Sequence, residues 1–388
     1  MFVVQPMELS ARKVLLLGAS GSIGGQAIDI IDEAKDKFVL VAFSVGKNYE
    51  KAREILAKYK TVKQVYICSK ENADKLSKEF PNVIIYSGDK GLAELTKSAD
   101  YDMCVDALVG FSGFEPATIA LKRNKILCLA NKEALVAGGT LINKILAKGK
   151  GKLYPIDSEH VALAKCLANC RREDVKRILI TASGGALRNV PLEELKDVKA
   201  EQALKHPTWK MGNKITIDCA TMMNKGFEVI EAHYLYGFGL DQINVLMHDE
   251  SLVHSLVETK DGTLILEYGK PDMHNPIRWA MYEGVNNTEN IMKVKNLTEL
   301  KDCHFHDYDP KRYPCTELAK QALTEGASKM IALNASNEVL VNKYLAGKIG
   351  FLDIAEGVKN AVNKVALKKS PSLSAIKKLD KRVRKEIE

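Results

Sequence analysis

An apolar run that leads straight into three evenly spaced glycines leaves this chain few possible folds. Val14-Leu15-Leu16-Leu17 precedes glycines at positions 18, 21 and 24, and a helical pattern continues from Gly25. A short apolar run that ends at glycine is typical of a buried strand. Glycine permits a tight turn, and a helix that begins there offers free N–H groups to an anion. The segment therefore predicts a strand, a turn and a helix built around a phosphate-bearing ligand.

The first 150 residues repeat this alternation of strand and helix. Helical stretches such as 25–36 and 49–59 separate short runs rich in β-branched residues. Such alternation predicts a parallel sheet with helices on both faces, which is a Rossmann-like domain over residues 1–150. The predicted strands are 13–17, 39–44, 65–67, 83–86, 103–106 and 125–129.

The glycine turn in this context predicts a dinucleotide site, although its GxxGxxG spacing differs from the usual GxGxxG. A plain glycine-rich turn is the alternative. An NAD site usually ends its second strand in an acid that binds the ribose hydroxyls. Here Gly46-Lys47-Asn48 follows the second predicted strand and contains no acid. Because a lysine suits the extra phosphate of NADP(H), the sequence favours NADP(H) over NAD(H).

A second α/β region is predicted over residues 151–285, with a linker at 286–312 and a C-terminal helical domain at 313–388. The long polar stretch 186–213 has weak periodicity and two prolines, which is typical of a flap over a binding site. Strands are predicted at 152–156, 177–181 and 215–218, antiparallel strands at 245–247, 255–259 and 263–268, and helices at 220–236, 315–325, 327–345 and 351–365.

Acidic side chains gather in two places. Asp157 and Glu159 lie two residues apart where a predicted strand gives way to a helix, a spacing that puts extended residues on one side. Converging carboxylates repel unless a cation lies between them, and oxygen ligands suit Mg²⁺ or Mn²⁺. Asn224, Glu228 and Glu231 share one face of the helix predicted at 220–236. Taken singly, a helix cap and an ordinary surface helix remain as alternatives.

A candidate phosphate site lies just before the flap. Ser183-Gly184-Gly185 follows a predicted strand and offers hydroxyl and backbone donors together. The flap contains Trp209, one of two tryptophans in the chain. A tryptophan in a polar loop is best explained if it closes over a ligand.

Composition excludes several other classes of protein. No run approaches the ~18 apolar residues of a membrane helix, and the start lacks the apolar core of a signal peptide. The eight cysteines show no close pairing, as expected for reduced thiols in a cytoplasmic protein. Residues 364–388 hold nine Lys or Arg against three Asp or Glu, so this tail carries most of the net charge of +8. Charge confined to one end argues against a nucleic-acid partner.

These segments together resemble the 1-deoxy-D-xylulose 5-phosphate reductoisomerase family of the non-mevalonate isoprenoid pathway. The resemblance covers nearly the whole chain in the right order. The matching runs are 18–24, 46–48, 129–133, 157–160, 183–185, 206–209, 222–226 with Glu228, 269–273 and 333–338.

The resemblance implies a homodimer that uses NADPH and Mg²⁺ or Mn²⁺. Its implied reaction rearranges 1-deoxy-D-xylulose 5-phosphate to an aldehyde and reduces that aldehyde to 2-C-methyl-D-erythritol 4-phosphate. The implied metal ligands are Asp157, Glu159 and Glu228, and these would act in catalysis with Lys132 and His206. The implied substrate contacts are Lys132, Ser158, Glu159, Ser183, His206, Cys219, Asn224, Lys225 and Glu228. The implied NADPH contacts are Ser20, Gly21, Ser22, Ile23, Gly46, Lys47, Asn48, Asn131, Glu133 and Gly212, while Trp209 and Met211 would belong to the closing flap.

The chain departs from the family pattern at three places. Cys219 stands where the family usually has serine at the phosphate site, and a thiol donates a weaker hydrogen bond. Ser20 replaces a threonine in the glycine turn, and His248-Asp249-Glu250-Ser251 replaces His-Pro-Gln-Ser.

Three features of the sequence also raise other interpretations. A semialdehyde dehydrogenase needs a nucleophilic cysteine, for which Cys166, Cys170 and Cys219 are the central candidates. The basic tail raises nucleic-acid binding, but it lacks interleaved aromatic residues. Cys303-His304-Phe305-His306 raises a soft-metal site, which a second paired cluster would have to complete.

Overall fold

The computed structural model describes residues 11–285, 300–368 and 370–388. Within these residues the chain forms two compact units. The first comprises 11–130, 145–156 and 273–285, and the second comprises 131–144, 157–272 and the described residues from 300 onward. Residues 286–299 of the predicted linker lie outside the described residues.

Eleven strands run through the described part of the chain. They are β1 Arg12–Leu17, β2 Phe38–Val45, β3 Gln64–Ile67, β4 Ile84–Tyr86, β5 Met103–Asp106, β6 Ile126–Leu129, β7 Lys152–Pro155, β8 Val175–Ala182, β9 Ile243–Met247, β10 Val253–Thr259 and β11 Leu264–Tyr268.

Fifteen α-helices accompany these strands in the described residues. They are α1 Ser22–Glu33, α2 Tyr49–Lys58, α3 Lys70–Glu79, α4 Gly88–Ser98, α5 Phe114–Lys122, α6 Lys132–Lys148, α7 Ser158–Leu167, α8 Ala200–Ala203, α9 Asn213–Ala220, α10 Met223–Tyr236, α11 His274–Met281, α12 Pro314–Glu325, α13 Ala327–Leu345, α14 Phe351–Lys364 and α15 Leu373–Ile387.

The first unit is built on a parallel sheet of seven strands in the order β4-β3-β2-β1-β5-β6-β7. The chain order reverses between β1 and β5, so the carboxyl end of β1 lies at a topological switch point, where α/β sheets bind ligands. The apolar run predicted as a strand is fully buried in β1, and Phe43 of β2 is buried beside it. The Rossmann-like parallel sheet is therefore confirmed, and the strand predicted at 152–156 completes its edge.

The second unit contains a four-stranded sheet in the order β11-β10-β8-β9. β10 pairs antiparallel with β11, as predicted for residues 255–259 and 263–268, and it also pairs antiparallel with β8. The prediction that residues 245–247 belong to an antiparallel strand is wrong, because β9 runs parallel to β8. The long helical connection between these strands allows the crossover that a parallel pair needs.

The strand predicted at 215–218 is wrong as well, since these residues lie in α9. Thr216, Ile217 and Ala220 recur at helical spacing and are buried on one side. Lys214 and Asp218 form an i,i+4 ion pair of 2.8 Å along the same helix. The next helix begins at Met223 rather than at 220, because Met222 adopts a left-handed conformation with φ 57° that separates α9 from α10.

The C-terminal helices share a core with the helices of the active-site region. Val341 of α13, Ile354 of α14 and Val383 of α15 belong to the same buried cluster as Ile217 and Phe227. The basic tail forms α15, where Arg384 pairs with acidic side chains of the same unit. Among the described helices, none is both long enough and apolar enough to span a membrane.

Candidate active site

The glycine turn packs too closely for side chains at two of its positions. Gly18 has φ +84°, and a Cβ atom there would lie 2.5 Å from the carbonyl oxygen of Ala107. A Cβ on Gly24 would lie 2.2 Å from the carbonyl oxygen of Gly18. The first approach packs the turn against the residue that follows β5, and the second packs the start of α1 against the end of β1. The free N–H groups at the start of α1 can therefore bind an anion.

Most of the remaining predicted contacts of the first unit lie on open surface at the ends of β1 and β2, whereas Ile23 is half-buried against the core of this unit. Ser20, Gly21 and Ser22 are exposed, and so are the three residues that follow β2. The turn is tied to β2 by hydrogen bonds from Gly18 and Ala19 to Ser44. The cradle therefore fits a dinucleotide diphosphate. The other predicted cofactor contacts, Asn131, Glu133 and Gly212, belong to the second unit.

Three carboxylates of the second unit converge. Asp157 is the N-cap of α7 and accepts a hydrogen bond from the backbone N–H of Glu159. Glu228 reaches the same place from α10, and one oxygen of each carboxylate lies within 4.8 Å of the others. No other group of three or more potential metal ligands gathers within the described residues. The helix cap and the acidic cluster are thus the same feature.

The helix that carries Glu228 is buried along most of its length. Every residue of α10 from Met223 to Ala232 is buried, so the surface-helix alternative is wrong. Glu231 points elsewhere and pairs at 3.3 Å with His160, which is fully buried. Of the three polar residues predicted on this face, Asn224 and Glu228 therefore meet the carboxylate cluster directly.

Two buried lysines lie among the carboxylates. Lys132 Nζ lies 2.8 Å from Asp157 Oδ2, 3.2 Å from Glu228 Oε1 and 2.6 Å from Asn224 Oδ1. Lys225 Nζ lies 2.6 Å from Glu228 Oε2 and also contacts Glu159. Two ammonium groups against three carboxylates leave this cluster with an excess of negative charge.

This excess is visible in the pKa values of the carboxyl groups. Burial and the nearby Glu159 raise the pKa of Glu228 to about 7 in spite of Lys225. Burial is the largest influence on Asp157 and works against its charge, but Lys132, His160 and Lys225 together outweigh it and hold the pKa of Asp157 below its usual value. A set of one buried and two half-buried carboxylates with uncompensated negative charge has the chemistry that Mg²⁺ and Mn²⁺ select. The residues present therefore fit a divalent cation.

The predicted phosphate site forms around Ser183. His206 Nε2 lies 3.2 Å from Ser183 Oγ, and the backbone N–H of Gly185 donates to the same oxygen over 3.3 Å. Gly185 has φ +69°, and a Cβ atom there would lie 2.7 Å from the carbonyl oxygen of Cys219. The Ser183 turn is thereby packed against the end of α9, where the chain carries Cys219.

Comparison of the sequence with known protein families assigns the chain to one of them. Residues 14–139 match the family described as 1-deoxy-D-xylulose 5-phosphate reductoisomerase, and residues 153–236 and 268–386 match its two C-terminal domain descriptions.

The chain belongs to the 1-deoxy-D-xylulose 5-phosphate reductoisomerase family.

Two similar relatives carry the name of that enzyme. The reductoisomerase of Geobacillus sp. (strain WCH70) is 41% identical over 375 residues, which cover 96% of this chain and 98% of the relative. The reductoisomerase of Listeria innocua serovar 6a is 39% identical over 373 residues, with the same coverage of both chains.

Solved structures of the reductoisomerase family agree with the fold. A reductoisomerase crystallised with NADPH, fosmidomycin and magnesium superposes with a TM-score of 0.90 at 33% identity over 97% of both chains. The Zymomonas mobilis reductoisomerase in complex with NADPH superposes with a TM-score of 0.87 at 33% identity, over 97% of this chain and 98% of that chain.

Arg188 lies at the predicted phosphate site and was not among the residues predicted from the sequence. Its guanidinium donates to the carbonyl oxygens of Ser183 and Asp249 over 3.0 and 3.3 Å. Its side chain also lies 3.5 Å from a carboxylate oxygen of Asp249, one of the residues at which this chain departs from the family. The sequence did contain a signal for this residue, since an arginine five residues after a predicted phosphate-binding serine is a candidate for the same site.

The flap predicted at 186–213 has two structurally different parts. Leu187, Leu195, Val198 and Ala203 are buried in the core of the second unit, which holds the first part in place. Residues 204–212 contain no helix or strand, and Trp209 is half-buried with its ring 6.3 Å from that of His254.

Two of the other interpretations, the cysteine nucleophile and the soft-metal site, fail within the described residues. Burial raises the pKa of the Cys166 and Cys219 thiols to about 12 and that of Cys170 above its usual value, so none is an activated nucleophile. Cys303, His304 and His306 do not converge with a further ligand into a metal-binding group. His304 pairs instead with Glu250 over 2.6 Å.

Proposed function

We propose that Asp157, Glu159 and Glu228 hold the magnesium ion on which this enzyme's reaction depends. The chain is an NADPH- and magnesium-dependent reductoisomerase that converts 1-deoxy-D-xylulose 5-phosphate into 2-C-methyl-D-erythritol 4-phosphate. The observation that carries the metal assignment is the convergence of three carboxylates beside two buried lysines. Mn²⁺ is the alternative ion, since it takes the same oxygen ligands.

A bound divalent cation polarises the substrate ketone and stabilises the negative charge that develops during the rearrangement. Lys132 lies between Asp157, Asn224 and Glu228, which orient its ammonium group at the edge of the cluster. We assign Lys132, Ser158 and Glu159 to the sugar backbone of the substrate. The buried position of Asn224 and Glu228 excludes bulk water from this end of the site.

The phosphate end of the substrate is assigned to Ser183, Cys219, Asn224 and Lys225. His206, which the family resemblance places at the sugar backbone, lies beside Ser183 at this end. The pKa of His206 is lowered to about 4 because burial disfavours its charged form, with Arg188 and Lys225 adding repulsion. The neutral ring accepts the N–H of Trp209 at Nδ1 over 3.0 Å, so its proton resides on Nε2 and points to Ser183 Oγ. Ser183 Oγ therefore accepts from two groups, and its own hydrogen is available to a phosphate oxygen.

NADPH supplies the hydride that reduces the aldehyde formed by the rearrangement. In the first unit its assigned contacts are the glycine turn and the residues after β2, where exposed Lys47 provides a positive charge for the 2′-phosphate. The full set is Ser20, Gly21, Ser22, Ile23, Gly46, Lys47 and Asn48, with Asn131, Glu133 and Gly212 from the second unit.

We further infer the flap, the domains and the assembly. Trp209 and Met211 lie in residues 204–212 and are assigned to flap closure. The division into an NADPH-binding domain (1–150), a catalytic domain (151–285), a linker (286–312) and a helical domain (313–388) remains our proposal. Leu264 and Leu266 are exposed on β11, at the edge of the four-stranded sheet, which supports a homodimer. All eight cysteines are free, which supports a cytoplasmic location.

The test follows NADPH absorbance in the presence of 1-deoxy-D-xylulose 5-phosphate, with added Mg²⁺ or with EDTA. We expect turnover with Mg²⁺ and its loss in EDTA. Glu228→Gln should lose about a hundredfold or more in turnover while it binds NADPH as the natural protein does, because a ligand of the ion is removed and the glycine turn is untouched. Full activity in EDTA contradicts the proposal.

A further inference from the structure

A chain of buried charged and amide side chains runs through the second unit beside the flap. Lys214 Nζ lies 2.6 Å from Glu133 Oε1 and 2.8 Å from Asp218 Oδ2. Asn131 donates to the other oxygen of Glu133 over 3.2 Å, and Asn337 of α13 donates to the other oxygen of Asp218 over 2.8 Å. These five side chains thus join the start of α6, the start of α9 and the middle of α13.

The network is buried, so each of its charged groups depends on its partners. Glu133, Asp218 and Asn337 are each at most 6% exposed, and the side chain of Lys214 is 12% exposed. Removing one partner from a buried pair leaves an uncompensated charge in a poorly solvating environment. Burial disfavours the charged form of Lys214, but Asp218 and Glu133 outweigh this and hold the pKa of Lys214 above its usual value. The network therefore favours one arrangement of its backbone elements.

Lys214 lies shortly after residues 204–212, so the network anchors the chain at the end of this segment. Residues 204–212 are bounded on one side by Ala203 in the core and by Val198, whose carbonyl accepts a hydrogen bond from Tyr344 over 3.1 Å. On the other side the chain enters α9 after Gly212, and Lys214 lies in the first turn of that helix. Lys214 is thus the first strongly anchored side chain after residues 204–212.

Glu133, the partner of Lys214, lies next to a proposed substrate contact. Glu133 directly follows Lys132, whose ammonium group lies among the carboxylates of the proposed metal site. Both residues are in the first turn of α6, so a shift of Glu133 displaces the backbone that carries Lys132. A single ion pair therefore connects the end of the flap to the helix start that positions a substrate contact.

We propose that Lys214 is a positioning residue that sets the closed geometry of residues 204–212 relative to Lys132. This inference rests on the proposed function and assigns a role in flap closure to a residue that contacts neither reacting atoms nor phosphate. Its loss should weaken the response of the flap to substrate, and a change that preserves the positive charge should retain that response.

The experiment uses Trp209 as the reporter of flap closure. Trp279 is the only other tryptophan, so the full-length protein with Trp279→Phe emits from the flap alone. Emission is titrated with 1-deoxy-D-xylulose 5-phosphate in the presence of Mg²⁺ and oxidised NADP⁺, which cannot donate a hydride. The variants are Lys214→Met, Lys214→Arg and Asp218→Asn. Lys205→Met, at an exposed flap lysine, is the matched control.

We expect Lys214→Met to raise the half-response concentration about tenfold, since small misplacements of a substrate-closing element carry large costs. Lys214→Arg and Lys205→Met should stay within about twofold of the parent. Asp218→Asn preserves the side-chain volume and leaves the Lys214–Glu133 pair in place, so it should raise the half-response concentration about threefold. This variant provides the test if Lys214→Met does not fold.

A Lys214→Met protein that melts earlier but keeps its half-response concentration overturns the proposal, because that result describes a purely structural residue. Lys214→Arg as defective as Lys214→Met overturns it too, and so does an unchanged response in Asp218→Asn. Turnover of NADPH by the parent protein is measured in the same preparation. Absence of that turnover refutes the proposed function, whereas normal turnover with a Lys214-independent flap response refutes this inference alone.

Discussion

His206 donates its Nε2 proton toward the Oγ atom of Ser183, 3.2 Å away, and so orders a hydroxyl at the proposed phosphate end of the site. The tautomer follows from the other ring nitrogen, which accepts the backbone N–H of Trp209. One imidazole therefore links residues 204–212 to the phosphate-binding turn. Substrate phosphate and flap closure are expected to be coupled through this ring.

Replacing His206 with alanine should lower kcat/KM for the sugar phosphate about tenfold, the effect of losing one buried hydrogen bond. The KM for NADPH should stay unchanged. Ser183→Ala should have a similar effect, and the double variant should be no worse than Ser183→Ala alone, because both residues act through one hydroxyl. Steady-state kinetics on the four proteins measure this, and additive losses would show that the two residues act independently.

The lowered pKa of His206 has a defined effect on stability. Between the ordinary value of 6.5 and about 4, the unfolded chain takes up a proton at this ring that the folded chain does not. This group therefore removes stability as the pH falls through that window. The melting temperature of the natural protein should fall more steeply there than that of His206→Gln, and parallel curves would contradict the assignment.

Cys219 should weaken phosphate binding relative to a serine at the same position. Its half-buried thiol, with a pKa raised to about 12, is a poor hydrogen-bond donor compared with a hydroxyl. Cys219→Ser should lower the KM for the sugar phosphate by about two- to fivefold, and Cys219→Ala should not lower it. Kinetics in which the serine variant matches the natural protein would show that residue 219 does not contact phosphate.

The exposed edge of the four-stranded sheet should be the surface at which two copies meet. Leu264 and Leu266 of β11 are 56% and 45% exposed, and an exposed apolar edge strand favours pairing with another chain. A Leu264→Lys, Leu266→Lys double variant should shift the protein from dimer to monomer in analytical ultracentrifugation. Lys260→Glu, beside the strand, serves as the charge control. A dimer that survives the double change would place the interface elsewhere.

Local patterns predicted the first unit well and parts of the second unit poorly. Short buried apolar runs such as those of β1 and β5 could be recognised as strands directly from the sequence, because helical stretches separate them along the chain. Ile215-Thr216-Ile217 resembles a strand in composition but folds as α9, since burial of one helical side and the Lys214–Asp218 pair outweigh β propensity. The i,i+4 spacing of Lys214 and Asp218 was a sequence signal for this helix that the prediction did not use.

Contacts between site residues that are far apart in the sequence could not be predicted from local sequence patterns, for a different reason. Glu228 meets Asp157 and Glu159 only because α7 and α10 pack in one unit, and spacing along the chain carries no information about that packing. The family resemblance supplied the assignment instead. The pairing of His206 with Ser183 and the buried network of Lys214 depend on side-chain direction, which emerged only from the fold.

The central claim is that Asp157, Glu159 and Glu228 form one divalent-cation site, and Mn²⁺ binding tests it most directly. Electron paramagnetic resonance of free Mn²⁺ during titration of metal-free protein counts the bound ions. We expect one tight site per chain in the natural protein and its loss in Glu228→Gln, whose fold and NADPH binding are checked in parallel. A Glu228→Gln protein that binds Mn²⁺ as tightly as the natural one would contradict the claim.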